Sequence, residues 1–237
     1  MKTPHATFLP ALGALAILSG SVIVAGDGQQ PAPVRGPAPS LVRPASSTKG
    51  TDAAGFLKRW IVLEPIRVPG QLTDSAVQAV VKKDYFPNQF TVVPRHGDTV
   101  TVGDESLTWH AVDTIAYNVN LYHFAYALNR PTSNVLFWAV TVVHAPREMP
   151  GVRLAIGSNA ASVWWLNGQE VIGIYNDRQA VIDDGVSKRV TLKKGPNVIR
   201  AAIVNAGGAT DFCARFLDGG DRPVTEIVVN LNANGRD

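Results

Sequence analysis

The chain is poor in sulfur and in charge: one cysteine, Cys213, two methionines and 17% charged residues among 237 positions. A lone thiol cannot close an internal disulfide, and no Cys-x-x-Cys or Cys/His spacing suits zinc. No run of like charge exceeds Lys193-Lys194 or Asp183-Asp184, and the net charge of +3 arises from 22 Lys/Arg against 19 Asp/Glu. A nucleic-acid footprint needs basic residues gathered on one face, so this even balance excludes that partner. Past the N-terminus no long apolar run occurs, since Val135 to Val143 is interrupted by Thr141 and ends at His144. No membrane span is expected in the mature protein. With 46% hydrophobic residues, the chain is too apolar for disorder and too long for a disulfide-stapled miniprotein.

Residues 1–25 open with Lys2 and His5, run through Phe8 to Leu18 and reach Ser21-Val22-Ile23-Val24-Ala25. That order reads as a secretory signal peptide cleaved near Ala25, placing the protein in the periplasm or outside a bacterium. The alternative is an uncleaved anchor, but Pro10 and Ser19-Gly20-Ser21 leave the apolar stretch short of the ~20 residues a span needs. Residues 26–51 carry Pro31, Pro33, Pro37, Pro39 and Pro44 among small polar residues and read as a semi-extended tether. The folded domain is then 52–237.

Within that domain, short β-rich runs recur between turn signals, from Trp60–Leu63 to Ile227–Leu231, and include Phe90–Val93, Leu121–Leu128 and Val186–Leu192. This spacing predicts an all-β sandwich. One helix is expected, over 74–83, where Val77, Val80 and Val81 fall at i, i+3, i+4 behind a Thr73 or Asp74 cap. In Trp164-Trp165-Leu166-Asn167-Gly168-Gln169, the Asn-Gly pair predicts a two-residue hairpin. Strand alternation sends Trp164 and Trp165 to opposite faces, one into the core and the other to solvent or ligand. Lys193, Lys194 and Asn197 read as a solvated turn. In the run from Asp211 to Phe216, alternation sets Phe212, Ala214 and Phe216 on one face and a structural Cys213 on the other.

The Asn-Gly hairpin, the Leu192-x-x-Gly195-x-Asn197 turn leading into a long strand, and Asp211-Phe212-Cys213-Ala214-Arg215-Phe216 together resemble galactose-binding-like jelly rolls that accompany bacterial polysaccharide-degrading enzymes. The matching part covers roughly 151–218, and the segment 56–231 is also similar to exported bacterial proteins called acetylxylan esterase. The resemblance implies a jelly-roll sandwich, a polysaccharide or oligosaccharide partner, and a structural Ca²⁺ as a common companion of the fold.

Catalysis and binding make different demands. No Gly-x-Ser-x-Gly elbow occurs. The nearest esterase constellation is Ser158 in Gly157-Ser158-Asn159, with His144 or His123 as base and Asp183 or Asp184 as orienting acid; a polar turn explains the same residues. The five histidines are scattered, which offers no metal cluster. Sugar binding asks for aromatic faces beside planar polar groups. Candidates are Trp164, Trp165 and the run Tyr175, Asn176, Asp177, Arg178, with Trp109-His110, Tyr117-Asn118 and Tyr122-His123 as further pairs. The sequence thus favours a carbohydrate-binding module, then an acetylxylan esterase, then a structural or partner-binding module.

Overall fold

The computed structural model describes residues 41–69, 73–176 and 178–231. The segment expected as a signal peptide and residues 26–40 of the expected tether lie outside the described residues. The elements in chain order are β1 (Leu41–Val42), β2 (Thr48–Gly50), β3 (Arg59–Leu63), β4 (Ile66–Arg67), α1 (Asp74–Lys82), β5 (Thr99–Val102), β6 (Glu105–Thr114), β7 (Val119–Asn120) and α2 (Leu121–Ala127). They continue with β8 (Val135–Ala145), β9 (Met149–Ser158), β10 (Ala161–Leu166), β11 (Gln169–Ile174), β12 (Gly185–Val186), β13 (Val190–Leu192), β14 (Gly195–Asn205), β15 (Asp211–Leu217) and β16 (Val228–Asn230).

Two antiparallel sheets form the sandwich. The larger runs β1-β6-β3-β8-β14-β10-β11, with β5 beside β6, β4 and β16 beside β8, and β2 beside β16. The smaller runs β12-β9-β15-β7, with β13 also on β9. Between them Trp60 of β3, Trp164 of β10 and Phe212 of β15 meet edge to face, Trp60 and Trp164 each packing on Phe212 at 5.0 and 5.4 Å between centroids. Quadrupolar attraction favours such tilted pairs over face-to-face sandwiches.

The larger sheet is covered on its other face as well. Trp165 stacks on Trp138 of β8 at 5.7 Å and meets Phe90, while Phe86 packs on Trp109 and Trp138. Val77, Val80 and Val81 of α1 are buried, and the Thr73 hydroxyl accepts from the Ala76 amide, as the cap pattern predicts. Burial of both faces explains why β8 and β14 read as continuous apolar runs rather than alternating ones.

Several expectations are corrected. Both indoles are buried, Trp164 at 0% and Trp165 at 8% exposure, because the 86–90 segment closes the face that alternation alone leaves open. Residues 90–93 are turn and loop rather than strand, the run 121–128 is the helix α2, and 186–192 breaks into β12 and β13. Residues 41–42 and 48–50 of the expected tether are strands, pairing with β6 and β16, and Arg59 donates to the Ser46 carbonyl at 2.7 Å. Edge strands of this kind satisfy their backbone on a neighbour without an apolar face of their own, so their composition mimics a linker.

The hairpin forms as expected, with Asn167 at φ 51° and Gly168 at φ 85°, the two positive values a type I′ turn requires. Asn197, expected in a solvated turn, is fully buried. Its Oδ1 accepts from the Lys193 amide at 2.9 Å, and its Nδ2 donates to the carbonyls of Lys193 and Gly195. It also accepts from Asn167 Nδ2 at 3.0 Å, tying the 193–197 turn to the hairpin tip.

Candidate functional site

Ser158 is the last residue of β9 and sits opposite Phe212, so its side chain points into the sandwich, where it is 1% exposed. Its hydroxyl donates to the Ala160 carbonyl at 2.9 Å. His144 lies on β8 in the other sheet, paired with Pro196 and Val228, with its Nε2 buried and lacking a hydrogen-bond partner among the described residues. The connection from β8 enters β9 at Met149, the end of that strand opposite Ser158. Asp183 accepts from Nε and Nη2 of Arg215, which also donates to the Ala54 carbonyl and lies over the Phe56 ring. Ser158, His144 and Asp183 are therefore not brought together.

The tripeptide around Ser158 has a structural explanation. A Cβ at Gly157 would stand 2.3 Å from the Val181 carbonyl oxygen, so glycine lets the 178–184 loop lie on β9. Asn159 donates to the Ala209 carbonyl and accepts from the Asp211 amide, closing the end of the sheet. Cys213 faces outward from the core aromatics as alternation predicts, yet it is 5% exposed, and burial pushes its thiol up to about 11. A thiol held protonated in this way is a poor nucleophile.

In the 175–178 loop, Tyr175 folds back over Gly173 and donates to Glu170 at 3.3 Å. Burial, with the Glu170 carboxylate beside it, raises the phenol above its usual value. Asn176 is exposed, Arg178 is ion-paired with Asp184, and Asp177 lies outside the described residues. Among the described residues no three His, Cys, Asp or Glu side chains gather, and Asp183 and Asp184 each face an arginine.

A different cleft has the makings of a binding site. In α2 the Asn120 side chain accepts from the His123 amide at 2.7 Å, capping the first turn. Asn129, at φ 57°, ends the helix in the left-handed region, and the Arg130 amide bonds to the Ala125 carbonyl. On this helix Tyr122 and Tyr126 stand at i, i+4 with their rings nearly parallel, 10° apart and 6.2 Å between centroids, both partly exposed. Phe124 between them points away and is buried.

These rings, Arg130, and Arg67 next to Val68 line a cleft of about 610 Å³, closed by the loop 131–134. The loop is held where Asn205 Nδ2 donates to the Thr132 carbonyl and the Val68 backbone amide to the Asn134 carbonyl. Arg130 is oriented from behind by Glu64, which accepts from it at 2.6 Å and is also bonded by the Thr108 amide and paired with His110. The planar guanidinium is thus fixed at one end with N–H groups to spare. A larger concavity of about 730 Å³ between β11 and 188–193 has charged and aliphatic walls without an aromatic ring.

Reading 121–128 as a strand concealed this site, since period 2 groups Tyr122 with Phe124 and Tyr126 on one face. The spacing Tyr122, Tyr126, Arg130 is the signal that a helical reading would have found.

No family model matches the chain, and no curated protein matches it. Similar solved structures include the PA14 sugar-binding domain from RTX adhesin, at 12% identity over 72% of this chain and 96% of that one, with a TM-score of 0.42. The PA14 domain of MpAFP antifreeze protein gives 13% identity, 80% and 95% coverage and a TM-score of 0.39. A β-glucosidase from Kluyveromyces marxianus in complex with glucose gives 19% identity over 52% of this chain, which spans only 16% of that one, with a TM-score of 0.37. At TM-scores below 0.5 these likenesses carry no argument about the site. Among the described residues no helix is long and apolar enough to cross a membrane.

Proposed function

We propose that the protein is an exported carbohydrate-binding module, of the galactose-binding-like kind in its use of a β-sandwich scaffold, acting beside polysaccharide-degrading enzymes. The observation that carries this reading is the parallel Tyr122–Tyr126 pair next to an Arg130 held by Glu64 in a cleft of about 610 Å³. Apolar faces of pyranose rings lie on aromatic rings, and a guanidinium donates two parallel hydrogen bonds to vicinal hydroxyls or a carboxylate. The cleft falls in the volume range of small-ligand sites. No observation favours the acetylxylan esterase reading, since the Ser158 hydroxyl is buried and bonded to Ala160.

Affinity electrophoresis in gels containing xylan, pectin or galactan tests the proposal. At least one glycan should retard the protein, and Tyr122→Ala and Tyr126→Ala should each weaken retention by about tenfold while leaving thermal unfolding nearly unchanged. Tyr175→Ala serves as the comparison. Retention lost in Tyr175→Ala and kept in both α2 variants would place the sugar at the 175–178 loop instead, and no retardation by any glycan would end the reading.

A further inference from the structure

A second concave site, which shares no lining residue with the α2 cleft, lies where the segment between β1 and β2 passes the 95–96 loop. It is a cavity of about 190 Å³, floored by Ile61, Ala111 and Leu231 and rimmed by Arg43, Arg95 and His96. Among the described residues no carboxylate lines it. The acids nearest in sequence or sheet position have partners of their own. Asp113 is taken by Arg59 and Lys49, Glu64 by Arg130 and His110, and Asp98 accepts from the backbone amide of Arg95. Neither Arg43 nor Arg95 has an ion-pair partner among the described residues, although they come from separate segments.

His96 adds a donor of fixed sense. Its Nδ1 accepts from the Ala111 amide at 3.2 Å, so the neutral ring carries its proton on Nε2. Partial burial, and then the positive field of Arg43 and His110, hold the ring below its usual value and so neutral near pH 7. The cavity therefore gathers two guanidinium groups and an imidazole N–H around a small space that no carboxylate lines among the described residues. Like charges converging on one concavity raise the local concentration of an anion and bind it by charge-assisted hydrogen bonds.

We infer that Arg43, Arg95 and His96 form a binding site for a small oxyanion, a sulfate, phosphate or carboxylate group, free or carried on a larger molecule. The volume suits one such group, and the apolar floor restricts it to the rim donors.

Amide NMR titration of the full chain with sodium sulfate and, separately, sodium glucuronate, each against sodium chloride at matched ionic strength, tests this inference. Saturable shifts should appear at residues 43–47, 95–97 and 111 with either probe. Arg43→Gln and Arg95→Gln should each weaken binding roughly tenfold, and Tyr122→Ala should leave it unchanged, which separates this site from the glycan cleft. Tighter binding of sulfate assigns a tetrahedral group, and tighter binding of glucuronate a carboxylate. Shifts that chloride reproduces without saturation, or wild-type affinity in the double arginine variant, would overturn the inference.

Discussion

Truncating the two adjacent tryptophans tests whether the larger sheet is covered on both faces. Trp164 is wholly buried, packs on Trp60 and Phe212, and donates from Nε1 to Ser162 at 3.0 Å. Trp165 keeps 8% exposure and packs between Trp138 and Phe90. Removing an indole takes away roughly 150 Å² of buried apolar surface, worth about 4 kcal/mol at ~25 cal/mol per Å². Large-to-small truncations of buried aromatics span about 3–5 kcal/mol. We expect Trp165→Ala to cost about 3–4 kcal/mol, and Trp164→Ala slightly more, because it also strands the buried Ser162 hydroxyl. Urea unfolding followed by far-UV circular dichroism gives both values at a shared slope. In a domain of this size each variant should melt roughly 8–15 °C lower. A Trp165→Ala loss below about 1 kcal/mol would refute the two-sided covering, since an indole facing water has little to lose on truncation.

Two further outcomes follow from buried polar groups. Asn197→Ala removes the side-chain hydrogen bonds that tie Lys193, Gly195 and Asn167 together and should destabilise by about 2–3 kcal/mol in urea titrations, whereas a solvated turn would give under ~0.5 kcal/mol. Asp113 carries an acid-dependent share of stability: burial taken alone would raise its carboxyl, but hydrogen bonds and charge from Arg59 and Lys49 outweigh it and hold the group below its usual value. A depressed folded value means that this stability is fully present above the unfolded carboxylate range near ~4 and is lost as the pH falls through the lower folded value. Asp113→Asn should therefore be less stable than wild type at pH 7 and approach it only as the pH falls below the usual carboxylate range; a difference that stays constant on acidification would contradict the assignment.

The elements legible in the sequence are those whose signal is local. The Asn167-Gly168 hairpin was legible because a type I′ turn needs two positive φ values that few residues accept. The α1 helix was legible because a three-valine stripe behind a threonine cap has one natural reading. The inward faces of β15 and the outward Cys213 followed from period 2 alone. The sites were less legible because their residues are distributed: Arg67 and Tyr122 share a cleft, as do Arg43 and His96, across tens of residues of chain.

The sequence by itself determined an all-β sandwich with hairpins at fixed places, since turn chemistry and side-chain period act between neighbours. Only tertiary structure decided that the 86–90 segment covers Trp165, that 121–127 coils into a helix bearing two parallel tyrosines, and that Ser158 faces the core far from His144. Burial, packing against a second face and the convergence of distant side chains depend on which surfaces meet, and no local pattern encodes that.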